Sequence, residues 1–128
     1  VATALENVAG TLQKEGAEVC DVALPTLGEF GAVNRVILQS EAWSIHAPWL
    51  GERPGDYGRL SRRRLMPGAF MGAGDYVLAS RRRLEMIAAV EAVLREVDVL
   101  LCASSMDPAC RIDDPAEVER TYPRQART

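Results

Sequence analysis

Three stretches of this chain repeat apolar residues at helical spacing, and glycine and proline punctuate the gaps between them. That alternation confines most of the sequence to long helices joined by short connections. In the first stretch, residues 2–15, Leu5, Val8, Ala9 and Leu12 recur a turn apart. Gly16 follows, and glycine takes the positive φ that ends a helix at little cost. The second stretch opens at Thr26-Leu27-Gly28-Glu29, which has the spacing of a capping box. It predicts a helix to about Leu50, roughly 36 Å long at 1.5 Å per residue. Phe30, Val33, Ile37, Ala42, Ile45 and Trp49 form its expected apolar stripe, and Gly51, Pro54 and Gly55 close it.

A shorter helix is predicted over Tyr57–Leu65, before Pro67, Gly68, Gly72 and Gly74 interrupt the pattern. Asp75 is then placed to cap a third long helix, Tyr76–Val97. Its apolar positions (Val77, Leu84, Met86, Ile87, Val90 and Leu94 among them) cover more than half the circumference, which predicts burial on two sides.

Two runs read as strands. Ala17–Leu24 carries Val19, Cys20, Val22 and Leu24, and Pro25 ends it. Asp98–Cys102 is apolar on both faces, as a central strand is. The expected fold class is therefore α/β, with long helices packed on a small mixed or parallel sheet. A two-stranded sheet is marginal alone, so its edges would seek neighbours, and a homo-oligomer is expected. Beyond Ala103 the pattern fades, and only Pro115–Arg120 offers a brief helical turn. No internal repeat or linker divides residues 1–128, which read as one segment.

Composition narrows the function classes. With 48% hydrophobic and 26% charged residues and a net charge of −3, the chain has the makeup of a globular protein and no global attraction to nucleic acid. No apolar run is long enough to span a membrane, and the N-terminus has no signal-peptide pattern. Cys20, Cys102 and Cys110 show no metal-ligand spacing and suggest reduced thiols in a cytoplasmic protein. No metal or other cofactor is implied. Val1 opens directly onto a helical run, as expected of a fragment or a processed chain.

Side chains with chemical potential are few. His46 is the single histidine, with Ser44 and Glu41 close in sequence. Residues two or five apart on a helix do not share a face, so no local Ser/His/acid set forms and His46 reads as structural. Arg62–Arg64 and Arg81–Arg83 lack the alternating aromatics of a nucleic-acid surface and read as solvated helix faces. One inward arginine remains compatible, since guanidinium binds carboxylates bidentately. Asp107, Asp113, Asp114, Glu117 and Glu119 lack the spacing of a calcium loop and read as polar surface. Ser104 and Ser105 follow the second strand without a nucleophile elbow around them.

In order along the chain, Gly16-Ala17-Glu18-Val19 with Asp21-Val22-Ala23-Leu24-Pro25, Glu41-Ala42, Tyr57-Gly58, Arg63-Arg64-Leu65 with Gly68, Asp75-Tyr76 and Asp98-Val99-Leu100-Leu101 resemble the amidase signature family. The resemblance covers nearly the whole chain and implies a fragment of that family's α/β fold. It implies hydrolysis of carbon–nitrogen amide bonds by a Ser–cis-Ser–Lys triad, with a small-molecule amide as the substrate of the complete enzyme. No Gly-Gly-Ser-Ser stretch is present and Lys14 stands in the wrong context, so the resemblance puts the triad N-terminal to Val1 and assigns no catalytic residue here. The family's Pro-Thr after the DVLL run is replaced by Ala103-Ser104-Ser105. This segment is expected to build pocket wall, with Arg64 resembling an arginine that meets a substrate carboxylate. The competing reading is a stand-alone helical protein-interaction module without catalysis.

Overall fold

The computed structural model of the chain describes residues 1–103 together with Ala109, Arg111, Asp113, Asp114 and Ala116. Four α-helices account for most of these: α1 (Ala2–Lys14), α2 (Leu27–Glu52), α3 (Arg59–Leu65) and α4 (Ala73–Val93). Short 3-10 turns at Pro54–Asp56 and Met66–Phe70 flank α3. The chain divides into two compact units, one formed by Val1–Leu24 with Ala89–Thr128, the other by Pro25–Ala88.

In the first unit, α1 ends as Gly16 predicts. Gly16 adopts φ 97°. Its N–H reaches Gln13 O at 3.1 Å and the Ala17 N–H reaches Leu12 O at 3.0 Å, the paired bonds of a Schellman motif. The chain then runs without regular structure over residues 17–26, and Val19, Cys20 and Val22 are exposed. Residues 97–103 are likewise irregular, with Val99 80% exposed.

Both expected strands are thus absent, and among the described residues there is no strand at all. The protein is helical, which corrects the α/β expectation. The reason is physical: an apolar run can be extended by itself, but a strand exists only when a neighbour's N–H and C=O groups complete a ladder. Ala17–Leu24 and Asp98–Cys102 have the composition of strands without that ladder. The predicted turn at Pro115–Arg120 lies outside the described residues apart from Ala116, which is helical.

The second unit is built on α2. Its capping box forms in full: Thr26 Oγ1 accepts from the Glu29 N–H at 3.2 Å, and Glu29 Oε2 accepts from the Thr26 N–H at 3.0 Å. The helix runs on through Pro48, whose missing N–H leaves the Ser44 carbonyl without its usual helical donor. One side of α2 receives α3 and both 3-10 turns. Gly68 makes the closest approach. A Cβ there would collide with the backbone oxygen of Gln39 and lie 2.5 Å from Trp43 Cβ, so only glycine fits.

α3 begins two residues later than predicted because Pro54–Asp56 forms its own tight turn and Gly58 becomes the N-cap. α4 begins earlier than predicted. Asp75 lies inside its first turn and accepts from the Gly72 N–H at 3.0 Å, in the manner of a capping-box acid rather than an N-cap. Ile37, Leu50, Ala79 and Met86 are the buried apolar side chains. Ile45 and Trp49, expected in the core with Ile37, are exposed, and so are Val77, Leu84 and Ile87 of α4. α2 and α4 each therefore bury some apolar side chains and show others.

Candidate functional site

The polar side chains of the second unit collect at three places around α2. The first is α3, whose last turn holds Arg62, Arg63 and Arg64. Cations there complement the partial negative charge of the helix's terminal carbonyls. Arg62 Nη1 donates to Pro54 O at a long 3.5 Å. Arg64 is exposed on the same turn. A guanidinium has the planar fork that matches a carboxylate.

The second is His46. Its Nδ1 lies 2.9 Å from the Tyr57 hydroxyl, and its ring meets Trp49 and Tyr57 edge-on at centroid distances of 5.8 and 5.6 Å. The imidazole is half-buried and bridges the C-terminal part of α2 to the segment leading into α3. Ser44 turns elsewhere, donating through Oγ to the Glu41 carbonyl at 2.7 Å. The Ser44–His46 juxtaposition of the sequence thus yields no Ser/His pair, because the helix points the two side chains apart.

The third is the junction of α2 and α4. The Tyr76 hydroxyl donates to Glu41 Oε1 at 2.9 Å. That bond, then the negative charge of Glu41, hold the phenol's pKa above its ordinary value of 10.0, against a smaller lowering by a hydrogen bond from Ser80. Further along, Arg82 joins Glu29 at 2.8 Å and Glu85 at 2.6 Å. The backbone N–H of Thr26, then Arg82, hold the Glu29 carboxyl below its ordinary 4.5. Sequence reasoning missed both cross-helix pairs. Their signal was present only as separate fragments, Glu41-Ala42 and Asp75-Tyr76 for one and the Thr26–Glu29 box and Arg81–Arg83 for the other, with nothing to show that they meet.

These contacts position and brace; they do not assemble a nucleophile. Among the described residues no serine hydroxyl pairs with His46 or with Lys14, and Ser40 Oγ is buried with no hydrogen-bond partner. Nor do the described residues gather three metal-ligating side chains. No described helix is long and apolar enough to cross a membrane. Cys20 and Cys102 are free and exposed thiols. Arg111 chelates Asp113 through Nε at 3.1 Å and Nη2 at 2.8 Å, so part of the acidic cluster is internally neutralised. Ser104, Ser105, Asp107, Cys110, Glu117 and Glu119 lie outside the described residues.

Comparison with known proteins gives one relationship. The chain is 32% identical over 111 residues to a curated protein named Amidase from Pseudomonas putida. The match takes in 87% of this chain but 24% of that relative, so the chain spans about a quarter of the relative's length. No family model matches the chain, and no solved structure matches it. The similarity is to an amidase at a distance, and it makes this an amidase-related segment.

Proposed function

We propose that this chain is part of an amide hydrolase of the amidase signature type, contributing scaffold and substrate-pocket wall while a serine nucleophile and its lysine base come from outside residues 1–128. The observation that carries this is the 32% identity over 111 residues to a protein named Amidase. It agrees with the ordered motifs from Gly16-Ala17-Glu18-Val19 to Asp98-Val99-Leu100-Leu101. The internal chemistry fits a supporting role: the lone lysine, Lys14, closes α1 at its exposed end, Ser44 Oγ serves the backbone and Ser40 Oγ lies buried. A serine attacks an amide carbonyl only when a base within hydrogen-bond reach takes its proton.

In this reading, α3 and the Met66–Phe70 turn stand against α2 as one wall, and Arg64 offers its guanidinium to a carboxylate on the substrate. The wall is held in place by the close seat of Gly68 on Gln39 and by the His46–Tyr57 bond.

The test is a chimera. The matched quarter of the Pseudomonas putida amidase is replaced by this chain, and hydrolysis of simple amides is measured beside the chain alone. The chimera is expected to turn over and the chain alone to be inert. Turnover by the isolated chain that survives Ser104→Ala and Ser105→Ala would overturn the assignment. In an active chimera, Arg64→Ala should raise KM for amides bearing a carboxylate more than for neutral ones; equal effects on both would remove Arg64 from the pocket.

A second reading, a helical interaction module without catalysis, draws on the exposed apolar faces of α2 and α4. An inert chimera that folds, beside a chain that binds protein, would favour it.

A further inference from the structure

We draw no further inference here: the strongest candidate, the exposed apolar stripe of α2 formed by Leu38, Ile45 and Trp49, carries nothing because nothing in the structure shows what covers it.

Discussion

Tyr76 donates its phenolic proton to the carboxylate of Glu41, a contact of 2.9 Å between residues 35 apart that ties α4 to α2. The bond needs a protonated phenol and an ionised acid. Because Glu41 raises the phenol's pKa above 10.0, the contribution of Tyr76 to stability is complete below its unfolded pKa and is lost as pH rises through the higher folded value. Tyr76→Phe should therefore lower the melting temperature slightly at neutral pH. Glu41→Gln should do the same, and the double variant should lose less than the sum of the two. Additive losses in that thermodynamic cycle would show the two side chains to be uncoupled. A spectrophotometric titration of tyrosinate should show one tyrosine ionising late, and Glu41→Gln should abolish the delay.

At the acid end Glu29 governs. It caps α2 through Thr26 and holds Arg82, and both lower its pKa below 4.5. A depressed acid stabilises the fold above its unfolded pKa and loses that effect as pH falls through the folded one. Thermal melts between neutrality and pH 3 should show a loss that Glu29→Gln does not share. Thr26→Ala removes the acceptor for the Glu29 N–H and should cost about 1 kcal/mol at neutral pH, read by urea unfolding. An unchanged unfolding midpoint in Thr26→Ala would mean that the cap is redundant.

Gly68 is the most sterically restricted position in the second unit. Its would-be Cβ meets the Gln39 backbone, which cannot rotate away as a side-chain tip can. Gly68→Ala should destabilise by about 1–3 kcal/mol through displacement of the Met66–Phe70 turn. Gly55→Ala, at a site with open space, is the control and should be far milder. Equal unfolding midpoints for the two variants would contradict the close packing of that turn.

Gly16 is constrained by conformation instead of by space. No atom would obstruct a Cβ there, yet its φ of 97° is one that other residues adopt at a cost. Gly16→Ala should cost about 1 kcal/mol and fray the end of α1, detectable as faster amide exchange at Gly16 and Ala17. Retention of slow exchange at both amides would show that the Schellman turn tolerates the strain.

Local signals were the legible part. Gly16 marked the end of α1, and Thr26 with Glu29 marked the start of α2, because each depends on hydrogen bonds within a few residues of itself. Asp75 was recognised as a cap, but it is the third residue of α4 rather than the one before it, and accepts from the Gly72 N–H. Arg64 could be placed on a helix but not given a function by spacing. Tyr57–His46 and Tyr76–Glu41 were invisible as pairs, because hydrogen bonds across 11 and 35 residues leave no periodic trace.

The amino-acid sequence by itself determined that the helices form, and it set the end of α1 and the start of α2, since helix propagation and capping are settled by neighbours along the chain. Only the tertiary structure decided which apolar residues are core. Val19, Val22, Val99 and Leu101 have strand composition, yet no backbone ladder forms with them, and they stay exposed. Ile37 and Ile45 belong to one helix and look alike in sequence, but Ile37 is buried and Ile45 faces outward. Apolar character says that a side chain gains by burial; which surface arrives to bury it is a property of three-dimensional contact that a linear pattern does not contain.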